Sequence, residues 1–225
     1  MKANGGERIA SGGRRQTLLV AAAQALYLSS VSVVFTFSGL AGAELAPTPG
    51  LATLPLALIT VVTAAAAIPI SLLMARVGRR LGFQVGALIG ATGSGVAAWG
   101  MAAGDFALFC LGNALMGVFQ ASAMYYRFAA ADMAGAAFRA KAVAWVLVGG
   151  VAAALAGPEI AARTRHLLSG AEYAGAYAAS ALIALISIAL LGLLRAPPSA
   201  AENEKKGLLE PWRRSCVSRC SWSRF

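Results

Sequence analysis

The sequence predicts an all-α integral membrane protein of six transmembrane helices, and three observations predict it. The 225-residue chain is 59% hydrophobic and only 12% charged, with a mean hydropathy of +0.70, the composition of a lipid-embedded chain rather than a water-soluble domain. Its apolar residues gather into six runs of about 20, the helix length that crosses a hydrocarbon layer roughly 30 Å thick. Each run is apolar on every side, where a β-barrel strand would alternate.

The expected spans cover residues 17–40, 51–74, 82–101, 106–129, 142–162 and 173–194, with an N-terminal segment at 1–16 and a linker and tail at 195–225. Arg14 and Arg15 followed by "VAAAQA" resemble the start of a secretory signal. Signal cores are only about 7–15 residues long, and this run continues through "LYLSSVSVVFTFSGL", so the first span reads as a retained helix. The second and third spans flank "MARVGRRLGF", three arginines within five residues. The third carries Gly82, Gly86, Gly90, Ser94 and Ala98 at intervals of four, a stripe of small residues that lets a neighbouring helix approach closely. Asn113 and Gln120 interrupt the fourth, which ends in "MYYRFAAAD". The fifth repeats the small-residue spacing at Gly149, Ala153, Gly157 and Ala161, with Pro158 beside it, and the sixth is uncharged.

Charge sets the expected orientation, because Lys and Arg near span ends stay cytoplasmic. Lys2, Arg8, Arg14 and Arg15, then Arg76, Arg79 and Arg80, then Arg127, Arg139 and Lys141, then every basic residue of the tail fall on one side; only Arg163 and Arg165 fall opposite. Both termini are therefore expected in the cytoplasm. The formal net charge of +10 is dispersed over short membrane loops rather than gathered on one soluble face, so no nucleic-acid partner is expected. The bilayer itself is the first partner.

Enzyme and metal chemistry find no support in the residues. A serine nucleophile needs a base within reach, yet the single histidine, His166, lies in an expected external loop while Ser94 sits mid-helix on the glycine stripe. Cys216 and Cys220 form the one close cysteine pair, without a histidine to complete four zinc ligands, and Cys110 lies inside a span. There is no glycine loop ending in Lys and Ser or Thr. The expectation is no enzyme, no metal and no cofactor.

The stretch Ser71 to Arg80 resembles the signature loop of the major facilitator superfamily, G-x-x-x-D-R-x-G-R-R, placed as in that family between helices two and three. Arg76, Gly78, Arg79 and Arg80 match, whereas Ser71 and Ala75 replace its glycine and aspartate. The resemblance implies a latch that pairs charges when the inward side is closed, with Asp132 as the nearest acidic candidate in place of the lost aspartate. Gly157-Pro158 is similar to the end of the family's antiporter-type motif; plain packing by Gly149, Ala153 and Gly157 with a proline kink reads equally from the residues. "MYYRFAAAD" and "VLVGGVAAALAGPEIA" look like the corresponding segments of bacterial permeases of this family, which implies a bacterial inner membrane. Tyr125, Tyr126 and Arg127 then read either as a gate facing a central cavity or as boundary anchors, amphipathic rings and a snorkelling cation.

Helices one and four line the cavity in this family, so the resemblance implies Gln24, Tyr27, Asn113 and Gln120 as cavity-lining candidates; polar residues in spans also serve as glue between helices. Asn113 stands where the family often carries an arginine, leaving the coupling ion open. The family is built from two inverted three-helix repeats, and Pro69 precedes Arg76 by the same seven residues as Pro158 precedes Arg165. The resemblance covers one six-helix half of such a transporter. The expected function is passage of an unknown small solute, by this chain with a second six-helix half or as a homodimer; a transport-inactive fragment and a scaffold without transport are the alternatives. The tail "LLEPWRRSCVSRCSWSRF" breaks abruptly in composition from the spans, as an out-of-frame ending or a basic lipid-binding tail would.

Overall fold

The computed structural model describes residues 3–133, 139–164 and 173–194. Every regular element among them is helical: α1 (Ala3–Leu45), a short 3-10 turn (Pro49–Leu51), α2 (Leu54–Val77), α3 (Arg79–Ala103), α4 (Phe106–Ala123), α5 (Tyr126–Met133), α6 (Arg139–Thr164) and α7 (Ala174–Gly192). Among the described residues, six helical stretches are long and apolar enough to cross a membrane, with α4 and α5 together supplying the fourth. This is the architecture that lipid imposes, because each backbone bond is closed within its own segment. Pro69 and Pro158 lie inside α2 and α6.

Three boundaries differ from the sequence expectation. The "loop" between the second and third spans is a single residue: α2 runs to Val77, α3 starts at Arg79, and Gly78 alone links them at φ 89°, ψ 155°. Only glycine enters that backbone region without strain. The fourth span breaks at Met124 and Tyr125, between α4 and α5. And α1 begins at Ala3, well before the apolar run. Between α3 and α4 the turn takes two residues, with Gly104 in the left-handed region and the Asp105 carboxylate accepting from the backbone N–H groups of Ala107 and Leu108 at 2.8 and 3.1 Å, a side-chain cap for the free donors of α4.

Helix packing follows the inverted-repeat rule. α1 packs chiefly on α6 and α7, α4 packs chiefly on α2 and α3, and α3 crosses α7. Exchanging the first three spans with the last three maps this pattern onto itself. At the centre of the crossing the Ser30 and Ser180 hydroxyls are 2.6 Å apart, Ser180 is 3.2 Å from Ser94, and Ser94 donates to the Met116 sulfur at 3.0 Å. Ser94 and Ser180 are 86 positions apart, and so are Ser30 and Met116; the cluster thus joins equivalent positions of the two repeats. All three serines are fully buried.

The α3 stripe faces α4, though not along its expected line. A side chain at Gly86 meets Ser122, one at Gly90 meets Phe119, and one at Gly93 or Gly100 meets α4 backbone. Ala98 is only half-buried, and Ala97 takes its place. Positions spaced strictly by four drift about 40° per step around a helix, so a stripe held against a neighbour alternates steps of three and four.

Candidate functional site

The cavity candidates separate into committed and uncommitted polar groups. Asn113 is fully buried: its Nδ2 donates to the Phe109 carbonyl at 2.9 Å, and its Oδ1 accepts from Ser38 and from Tyr177, each at 3.3 Å. The side chain joins α1, α4 and α7 and presents no free acceptor. Tyr27 is 7% exposed and lies edge-on to Phe119, with ring centroids 5.2 Å apart. Gln24 and Gln120 differ from both, since the Oε1 atom of each is buried without a hydrogen-bond partner. An unpartnered buried carbonyl costs about 1–3 kcal/mol, a cost that a donor reaching either oxygen would relieve.

Gln24 sits where α1 meets α6. The Leu28 side chain packs against Gly150 there, with Gln24 also in reach, a Cβ at Gly149 would stand 3.3 Å from the Ala21 carbonyl oxygen, and Gly157 lies against Ser32. Ala153 is buried, and its carbonyl is 3.5 Å from the Ser29 hydroxyl. Gly149, Ala153 and Gly157 therefore line the α1 contact, while Pro158 is exposed; the side chain of Ala161 lies outside the described residues. The equivalent crossing of α2 and α4 uses Gly117, whose carbonyl accepts from Thr63 at 3.0 Å.

Tyr126 departs from the expectation of a boundary aromatic. It is fully buried, packed edge-on against Phe83 at 4.7 Å and near Tyr27 at 6.3 Å. The helix break at Met124 and Tyr125 turns it inward. Tyr125 and Arg127 face outward instead: the Tyr125 hydroxyl donates to the Ala67 carbonyl at 3.2 Å, and Arg127 is exposed. With Met124, Phe128, Ala131 and Val143 they line a groove of about 430 Å³ bounded by α2, α5 and α6.

The signature arginines end up on helix termini. Arg76 is exposed in the last turn of α2. Arg80 reaches across to α7, where its Nη2 donates to the Gly192 carbonyl, while its Nε is buried without a partner. Two cations in the first turn of α3 oppose that helix's dipole, whereas one at the C-terminus of α7 is favoured; the contact gives Arg80 a better place. The side chain of Asp132 lies outside the described residues, as do Arg165 and His166.

Comparison with known proteins decides the family: the model of the Major Facilitator Superfamily matches residues 19–224. The chain belongs to this superfamily. It is 38% identical over 188 residues to the riboflavin transporter RfnT of Brucella anthropi, a match covering 84% of this chain and 47% of that protein. The chain thus spans about half the length of that relative. Family membership accounts for the six spans and the exchange-symmetric packing, which together form half of the superfamily fold, a multi-pass membrane bundle.

Sequence reasoning missed two features. The serine cluster carried no signal, because single serines in apolar runs leave the hydropathy pattern unchanged. The groove beside Arg127 depends on a helix break that no Gly or Pro marks; the pair of tyrosines before an arginine was its only trace.

Proposed function

We propose that the chain supplies one six-helix half of a small-solute transporter whose solute is riboflavin or a close flavin relative. The observation that carries this reading is the 38% identity to a riboflavin transporter across nearly the whole six-helix region. The chemistry of the spans agrees with it. Riboflavin is neutral and planar, with an imide N–H and ribityl hydroxyls as donors; the unpartnered buried oxygens among the described residues include those of Gln24 and Gln120, close in sequence to the aromatic pair Tyr27 and Phe119.

On this reading the protein lies in a bacterial inner membrane with both ends cytoplasmic, as the basic residues favour. Transport uses a second six-helix half or a second copy, since alternating access needs two bundles that rock about a shared site. Arg76, Gly78, Arg79 and Arg80 act at the cytoplasmic end as the latch, with Asp132 as their acidic partner; Tyr125 and Arg127 serve at the gate.

The test combines binding and uptake. The full chain in lipid nanodiscs is titrated with riboflavin and followed by flavin fluorescence, and uptake of labelled riboflavin is measured in a flavin-auxotrophic bacterium expressing it. Saturable quenching that weakens in Gln24→Leu and Gln120→Leu is expected. Uptake by the chain alone, with crosslinked dimers, assigns the working unit to two copies; binding without uptake assigns it to a half that needs a different partner. Neither binding nor uptake overturns the reading and leaves the scaffold alternative.

A further inference from the structure

α3 also carries a groove on its outward side, formed by none of the residues assigned to the solute path or its gate. Its lining is Thr92, Gly95, Val96 and Trp99 of α3 with Leu108 of α4, around a volume of about 380 Å³. Gly86, Gly90 and Gly93 turn towards α4, whereas Gly95 is exposed and a Cβ there would meet nothing within 4 Å. Thr92 adds no free donor, because its hydroxyl is folded back onto the Leu88 and Ile89 carbonyls of its own helix at 3.1 and 2.9 Å. The glycine leaves a recess between two larger exposed side chains of α3, Leu88 and Trp99. We propose that this groove holds one acyl chain of an outer-leaflet phospholipid, as a lipid retained by the protein rather than one exchanging freely with the bilayer around it.

Depth identifies the occupant. The third span runs over Arg79–Ala103, 25 residues, and Thr92 stands next to its midpoint. From Thr92 to Ala103 a helix rises about 16 Å, close to half of a hydrocarbon layer roughly 30 Å thick. The groove therefore begins near the middle of the bilayer and runs towards one boundary, the depth that a single acyl chain occupies. That boundary is the end of α3 opposite Arg79 and Arg80, the outer end on the orientation proposed above. Trp99 is 72% exposed and lies about 6 Å inside that end, where an indole, with its apolar body and polar tip, suits the headgroup level. Solutes of the flavin kind fit poorly, because such ligands need placed polar partners and this lining is hydrocarbon and one aromatic ring. Atoms around an unfilled recess lack dispersion partners on one side. A chain with freely rotating bonds that follows the recess past Gly95 supplies them, and a chain merely passing over the helix does not.

The test uses the full chain with Trp145, Trp212 and Trp222 replaced by Phe, so that Trp99 alone fluoresces. In detergent it is titrated with phosphatidylcholine brominated on one acyl chain, bromine being a contact quencher of indole. Expected is saturable quenching that levels off with a single lipid bound per chain. Gly95→Leu and Thr92→Phe each fill the groove from an exposed position, and each is expected to weaken that binding roughly tenfold or more. Ala189→Leu, a similar enlargement on the exposed face of α7, should leave it unchanged. Circular dichroism confirms that helix content is kept, and two fillers on different residues guard against one that misfolds. Quenching that rises in simple proportion to lipid and is equal in all variants describes the general lipid boundary and overturns the proposal. Trp99 shielded from the brominated lipid, with a crosslinked dimer that Gly95→Leu disperses, assigns the groove to a second copy and overturns it as well. No flavin enters the measurement, so its result is independent of the transport reading.

Discussion

Arg80 and Gly192 tie the start of α3 to the end of α7: the guanidinium Nη2 donates to the last helical carbonyl. Helix C-termini leave carbonyls without intrahelical donors, and a cation there also meets the negative end of the dipole. Replacing Arg80 by Gln is expected to lower stability by about 1–2 kcal/mol, with Lys recovering part of the loss. Thermal unfolding in detergent gives the magnitude, and amide exchange in the last turn of α7 gives the location. Unchanged exchange in that turn would show that the contact contributes nothing.

Gly78 controls the same junction by a different cause. A Cβ there meets nothing within 4 Å, so crowding is no obstacle; the obstacle is φ 89° with ψ 155°. Gly78→Ala is expected to cost roughly 1–3 kcal/mol through backbone strain alone. Ala75→Gly serves as the control for a change on the same helix end. Equal melting temperatures for Gly78→Ala and wild type would contradict the strain argument.

Gly112 and Gly95 form a paired test of close packing. A methyl at Gly112 runs into the Ala97 backbone nitrogen and, at 2.6 Å, the Gly93 carbonyl, neither of which can turn aside; a methyl at Gly95 meets open space. Gly95→Ala is expected to be neutral or to gain up to about 1 kcal/mol from helix propensity. Gly112→Ala is expected to destabilise by about 1–3 kcal/mol through overpacking. Unfolding of the two variants side by side, in one detergent, reads the sign directly.

The six spans were legible because lipid leaves few options: a run of 20 apolar residues has one way to satisfy its backbone. The α1 contact of Gly149, Ala153 and Gly157 was legible for a similar reason, since small residues at helical spacing mark close approach. What escaped the sequence depends on which way a side chain turns. Gln24 and Asn113 both read as polar interruptions, yet Asn113 is consumed by Ser38, Tyr177 and Phe109 while the Gln24 oxygen is left free. Tyr125 and Tyr126 are adjacent and chemically identical; the break between α4 and α5 sends one to Ala67 and the other into the aromatic core. Arg79 and Arg80 looked like loop residues because charge in a membrane protein suggests a loop, but arginine is a good helix former, and one glycine sufficed for the turn.

Ser180 offers the sharpest test of how the repeats are joined. Its hydroxyl lies 2.6 Å from Ser30 and 3.2 Å from Ser94, where α7 meets α1 and α3. Hydrogen bonds between membrane helices contribute about 0.6 kcal/mol on average and up to about 1.7, so Ser180→Ala is expected to lose an amount in that range. Ser180→Leu should lose far more, because the site is fully buried and extra volume has nowhere to go. The informative measurement is a double-mutant cycle of Ser30→Ala with Ser180→Ala, which isolates their coupling from the cost of each truncation. A positive coupling, larger than that of Ser30→Ala with the distant Thr92→Ala, identifies the serine pair as a real bond across the repeat axis. Simple additivity would mean that close packing of small side chains, and not hydrogen bonding, is what selects serine at this crossing.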